Sequence, residues 1–211
     1  MSYQEFKPRQ FQQIPTVVKN ILIINVLLFI IKSLWERHLI PSAINLDRYL
    51  DLFPINSKEF MPHQFITYMF MHADISHIFL NMLGVYMFGS ILENVWGAKR
   101  FINFYLLCGL GAAGLQLAIS YFNNEYSVLL GASGALFGLL VAFAMMFPNT
   151  ELQLYFVIPV KAKYLVIGYT LFELYNGFFA HDNVAHFAHL GGLVVGVIIM
   201  LIWKRNKTFF Y

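Results

Sequence analysis

The feature that most constrains this chain is its long uncharged apolar runs. No charged side chain occurs from Phe101 to Phe122, and none from Tyr126 to Thr150. A transmembrane helix takes ~20 mostly apolar residues. Backbone placed in lipid must satisfy its own hydrogen bonds, which restricts the spanning forms to helices and closed barrels. Six stretches suit helices: Val17–Trp35, Ser76–Leu92, Phe101–Phe122, Leu130–Phe147, Val160–Ala180 and Val184–Trp203. Composition agrees, with 59% hydrophobic and 12% charged residues, against about a quarter charged in an ordinary soluble domain. The expectation is an all-α, polytopic membrane protein. Its bundle of six transmembrane helices spans residues 17–203, with a cytoplasmic segment 1–16 before it and a cytoplasmic tail 204–211 after it.

The loop charges give an orientation. Lys7, Arg9 and Lys19 precede or open the first run, Lys99 and Arg100 follow the second, Lys161 and Lys163 the fourth, and Lys204, Arg205 and Lys207 the sixth. The positive-inside rule then predicts both termini in the cytoplasm. The net charge of +3 is read as this topological signal, and a nucleic-acid partner is not expected. The lone cysteine, Cys108, allows no intrachain disulfide. The first run has no small-residue cleavage site after it and reads as a retained helix. The longest connection, 36–68, contains Pro41, Pro54 and Pro62 between apolar stretches and suggests short interfacial helices.

Polar residues gather at one depth. Ser133 stands in "GASGALFG" (131–138), His189 near the start of the sixth run, and His77 and Asn81 near the start of the second. All three runs point inward on this topology. Intramembrane polar groups face the bundle interior, although each group alone could be a satisfied packing residue. His77 and Asn81 are four apart and share a helix face. Gly134 and Gly138, like Gly192 and Gly196, have the spacing of close helix–helix faces. Packing through them would bring Ser133 and His189 together. A neutral histidine can take the proton of a serine nucleophile. The Gly131 region, Asn81 and His77 are candidate oxyanion or supporting groups. Phe137 is placed to pack on the imidazole. Glu173 reads as a mid-membrane packing residue, and no carboxylate has an obvious place behind His189; Asp182, in the preceding loop, is not assigned.

At these residues the sequence resembles a rhomboid intramembrane serine protease. "HADISHIFLN" (72–81), "LENVWG" (92–97), "GASGALFG" and "AHLGGLVVG" (188–196) fall in family order on the second, fourth and sixth helices. The first loop departs, reading "MPHQFITYMFMH" (61–72) where the family often has an aromatic–polar pair. The resemblance implies a minimal six-helix form with a Ser133–His189 dyad and no cofactor or metal. It implies single-pass or polytopic membrane-protein substrates, cleaved within the bilayer near its outer face. A bacterial cell (inner) membrane is the expected location. It also suggests that residues 176–186 form a mobile cap, with Phe178 and Phe179 either as plugs or as interfacial anchors.

Three other classes stay open. A metal or haem site could use the outer histidines, but HExxH is absent and a metal leaves the serine unexplained. A transporter would show paired broken helices in matched halves. A catalytically inactive rhomboid-like protein that binds transmembrane helices shares the fold and is disfavoured by the presence of both Ser133 and His189.

Overall fold

The structure, a computed structural model, describes residues 13–39, 45–154, 157–180 and 184–205. Lys7, Arg9, Lys207, His181, Asp182 and the middle of the expected cap lie outside the described residues. Helix α1 (Thr16–Glu36) begins directly after Pro15, whose fixed φ suits a helix start. Short helices α2 (Leu46–Leu50) and α3 (Gln64–Thr67), and a 3₁₀ turn Tyr68–Phe70, occupy the long first connection. Next come α4 (Ile75–Gly84), a π-helical stretch Val85–Gly89 and α5 (Ser90–Trp96), which form one continuous helical rod. Gly97 ends it at φ +80°, a conformation that costs glycine little. Helices α6 (Ala98–Asn123), α7 (Ser133–Met146), α8 (Ala162–Phe179) and α9 (His186–Arg205) follow. The core sits where α6, α7 and α9 pack on one another, with α8 against α9 and α7.

Each of the six expected runs contains a helix. Four of these elements are long and apolar enough to cross a membrane: Thr16–Glu36, Ile75–Trp96, Ala98–Asn123 and His186–Arg205. Helix α7 has 14 residues, a rise of ~21 Å, short of a bilayer core. Helix α8 carries Lys163 and Glu173 and is less apolar. The chain is therefore an integral membrane protein of helical bundle type; among the described residues four helices meet the length and polarity of a span, so the expected count of six is not established. A second difference is a small antiparallel pair, β1 (Glu151–Leu154) with β2 (Ile158–Lys161), between α7 and α8. It replaces the plain loop expected there and lets the backbone of this connection satisfy itself.

Buried polar groups are used as ties. Glu93 of α5, 5% exposed, accepts from the Val17 and Val18 amides at 2.9 and 2.8 Å. These are donors that the first turn of α1 cannot satisfy internally, and the carboxylate complements the helix dipole. Gln64 is fully buried. Its oxygen accepts from Phe53 and Met61 amides and its nitrogen donates to the Arg48 and Glu59 carbonyls. That one side chain folds the first connection on itself.

Asp51 lies in the same connection, 5% exposed, with Oδ1 lacking a hydrogen-bond partner among the described residues. Burial, then the nearby Asp47, push its carboxyl up to about 7, while Lys32 opposes them. The folded state thus keeps a proton that the unfolded chain releases near the ordinary aspartate value of 3.8. Stability from that proton is complete below about pH 4 and is lost as pH rises to about 7. The melting temperature in detergent is expected to fall across that window, and Asp51→Asn to flatten the fall. A thermal-shift series showing the same slope in both proteins would contradict this.

Candidate active site

Ser133 is the first residue of α7, and the chain reaches it through Gly131 at φ +114°. The Gly131 amide donates to the Tyr68 carbonyl at 2.9 Å. A side chain at Gly131 would also meet the His77 ring, with Nε2 2.6 Å from a Cβ. Gly131 therefore answers two demands, a left-handed backbone and a close imidazole. The first amides of α7 have no intrahelical acceptor, so the helix opens toward the site with donors and the positive end of its dipole.

His189 stands in the first turn of α9, and its Nε2 lies 2.8 Å from Ser133 Oγ. The contact depends on how closely α7 and α9 approach. A Cβ on Gly192 would fall inside the Gly134 carbonyl, and one on Gly196 would meet Gly138 Cα at 3.0 Å. Gly138 faces Cys108 and the Gly192 carbonyl. The Phe137 ring stacks on His189, centroids 4.5 Å apart and planes 11° apart, and meets Tyr169 edge-on. Rotation of the imidazole out of its plane is thereby blocked.

A cavity of about 900 Å³ opens over this pair, lined by His77, Asn81, Ser133, Phe137, Glu173 and His189 among others. Asn81, 4% exposed, donates through Nδ2 to the His77 carbonyl at 2.9 Å. The amide has a second hydrogen beside the cavity. Asp74 caps α4 by accepting from the His77 amide at 2.8 Å and from Ser76 Oγ, bonds that hold its exposed carboxyl below the usual range, the Ser76 bond most. His72 lies behind His77, rings 4.9 Å apart, and is 1% exposed. Burial, with His77 next, pushes its imidazole down to about 3, so it stays neutral. Phe178 and Phe179 are 67% and 65% exposed and do not line the cavity.

One sequence reading is corrected. Glu173 does not lie below the serine and histidine. Its Oε2 is 2.7 Å from His186 Nδ1 and 2.9 Å from His189 Nδ1. The expectation took Glu173 as the middle of the fifth run. Helix α8 ends at Phe179, so Glu173 is under two turns from its end, about 9 Å by helical rise, level with the first turn of α9. The signal available was the carboxylate itself: a buried charge in an apolar helix requires partners, and His186 and His189 are spaced to supply them. These three residues offer ligand atoms within 4.8 Å of one another, a donor set that could also hold a divalent cation.

Comparison with known proteins follows the same pattern. A family model described as a rhomboid domain matches residues 59–206. RHOMBOID-like protein 12, mitochondrial, from Arabidopsis thaliana is 29% identical over 210 residues, covering 90% of this chain and 58% of the relative. Rhomboid protein 1, mitochondrial, from Saccharomyces cerevisiae is 28% identical over 189 residues, 86% of this chain and 51% of its own. Presenilin-associated rhomboid-like protein, mitochondrial, from Homo sapiens is 26% identical over 210 residues, 90% and 50% respectively. The chain spans roughly half to three fifths of the length of these relatives. Their names are mitochondrial, so they lend no support to the expected bacterial cell membrane.

The glycine contact gives a direct test of how the site is assembled. Gly192→Leu is expected to push α9 off α7, costing on the order of 1–3 kcal/mol of stability by overpacking. Displacing His189 by even ~1 Å would slow any reaction that uses its contact with Ser133 by ~10²-fold. Melting temperature and the rate of active-serine labelling measure the two effects. A Gly192→Leu protein as stable and as reactive as wild type would show that the close approach is dispensable.

Proposed function

The chain belongs to the rhomboid family, and we propose that it is an intramembrane serine endopeptidase that cleaves transmembrane segments of other membrane proteins. The observation that carries this reading is the 2.8 Å contact between Ser133 Oγ and His189 Nε2 inside a cavity bordered by apolar helices. Ser133 is the nucleophile and His189 the general base. The loop charges support both termini in the cytoplasm and cleavage near the opposite face.

The reaction follows from these atoms. Ser133 Oγ bonds to the substrate carbonyl carbon as its proton passes to His189 Nε2. The carbonyl oxygen becomes an oxyanion, met by the Ser133 amide, by Asn81 Nδ2 and by His77. As the C–N bond breaks, His189 returns the proton to the leaving nitrogen, which yields an amine and an ester on Ser133. Water then repeats the sequence: it loses a proton to His189, attacks the ester, and releases the acid while Ser133 Oγ regains its proton. Gly131, Gly134, Gly138, Gly192 and Gly196 serve geometry, and Phe137 holds the base flat.

A fluorophosphonate probe should label Ser133 in wild type. Ser133→Ala and His189→Ala should each abolish cleavage of a model transmembrane substrate while inserting normally. EDTA should change nothing; loss of activity in EDTA with recovery on zinc addition would assign the Glu173–His186–His189 cluster to a metal instead. An unlabelled, inactive wild-type protein that still captures transmembrane helices would support the non-catalytic alternative.

Asn81 separates catalysis from architecture. Its one observed bond, to the His77 carbonyl of its own helix, would be the whole of its role if it were structural. As an oxyanion donor, Asn81→Ala lowers kcat by ~10²–10³ with little change in KM and leaves the melting temperature near wild type. Near-normal kcat with a large drop in melting temperature would remove it from the catalytic machinery.

A further inference from the structure

The resemblance implies a two-residue machinery, and the structure presents a third side chain on its far side. We infer that Glu173 is a positioning residue for His189, completing a Ser133–His189–Glu173 relay held in place by His186. The inference rests on the protease reading of Ser133 and His189.

For Nε2 to accept from Ser133 at 2.8 Å, a neutral His189 must carry its one proton on Nδ1. That Nδ1–H is buried, and Glu173 Oε2 lies 2.9 Å away. The distance is that of a hydrogen bond, but the alignment is not: His189 Nδ1 has no bond of good geometry among the described residues. Catalytic bonds are often poorly aligned before substrate binds and tighten afterwards. A small shift of the His189 ring within its own plane would align it while keeping the Phe137 stack.

The carboxylate is itself fixed. Glu173 is 5% exposed and His186 7%, and the His186 Nδ1–Oε2 bond at 2.7 Å is well formed. His186 therefore restrains Oε2 at the point that His189 Nδ1 faces. The other titratable groups of the cavity are His77 and Asp74 on α4 and Tyr169 on α8. His77 and Asp74 are bonded to the start of α4, and Tyr169 meets Phe137 edge-on. Glu173 fixes the tautomer that leaves Nε2 free to take the Ser133 proton. Once His189 has taken it, the imidazolium stands against the carboxylate, which balances the charge without accepting a proton.

A structural role and a positioning role differ in kinetics. Glu173→Gln keeps shape and polarity and removes the charge. The expected result is a fall in kcat of ~10²–10⁴, the scale of a carboxylate lost behind a serine–histidine pair, with KM within about twofold and fluorophosphonate labelling slowed in parallel. His186→Gln, which still donates to Oε2, should lose less than about tenfold. Glu173→Gln with kcat within threefold of wild type would overturn the inference. So would equal losses in Glu173→Gln and His186→Gln. If Glu173→Gln melts too low to assay, Glu173→Asp decides. Its shorter carboxylate withdraws from His189, so kcat should fall at constant KM, and unchanged kcat would refute the relay. Wild type and Ser133→Ala are run alongside. A wild type that neither cleaves nor labels would sink the protease reading, whereas an active wild type with an equally active Glu173→Gln would sink only the role of Glu173.

Discussion

The close approach of α7 and α9 is the constraint on which the rest of the structure depends. Lipid gives two apolar helices no hydrophobic reason to associate, so packing and polar contacts must hold them. Gly134 and Gly138 on one helix and Gly192 and Gly196 on the other bring carbonyl oxygens where side chains would normally stand. Helix α6 closes the third side in the same manner. A Cβ at Gly111 would meet Val195 and the Gly191 carbonyl, and one at Gly134 would strike Ala112. Three helices that meet through such small residues near the site have few degrees of freedom there. The separation of Ser133 and His189, at the shared end of α7 and α9, is then a consequence of backbone packing.

That tight triangle is possible because the polar groups of the fold find partners at its edges. Glu93 closes the start of α1, Tyr68 reaches the Gly109 carbonyl with its hydroxyl at 2.7 Å, and Glu173 takes the ring nitrogens of α9. Each is a buried group whose desolvation would cost several kcal/mol if left alone. The same three contacts join elements distant in sequence: α5 to α1, the first connection to α6, and α8 to α9. Helix α8 needs its contact most. It packs less extensively than α6 or α9, and much of its apolar surface, including Leu171, Phe172 and Tyr175, is exposed.

The helical runs were legible because lipid demands length and apolarity, and both are written in single residues. Ser133, His189, His77 and Asn81 were legible because polar groups in such runs are rare. The glycine faces were legible as spacing. Other features were hidden for identifiable reasons. Depth was misjudged at Glu173 although the expected run ends within one residue of the end of α8, because the level of a residue relative to His189 depends on how α8 is set against α9, which no local pattern encodes. The β1–β2 pair sits in "ELQLYFVIPVK", almost all of it in the connection between the fourth and fifth runs, where only a loop was expected. Glu93 and Gln64 act through partners 75 and 16 residues away, and no local pattern encodes such partners. The π-helical stretch at Val85–Gly89 likewise follows from packing: Gly89 faces Val18 of α1 and Phe101 of α6, and the extra residue in that turn lets the rod fit between them.

The first connection also acquires a physical role that its composition did not announce. Leu52 and Leu129 exchange backbone hydrogen bonds at 2.9 Å in both directions, and the Tyr68 carbonyl takes the Gly131 amide. The segment leading to Ser133 is thus bonded to the first connection at two points, on either side of Leu130. Gly131 is held at positive φ by these bonds as well as permitted it by its lack of a side chain. The buried Gln64 cross-links the same connection through four bonds, so the connection can resist displacement. The serine is therefore fixed twice, from below by the helix packing of α7 and from above by the folded loop. The histidine is fixed by α9 and by the Phe137 ring stacked on it. A site whose two members are each located by independent supports holds its geometry without drawing on the substrate for it, which is the preorganisation that electrostatic catalysis requires.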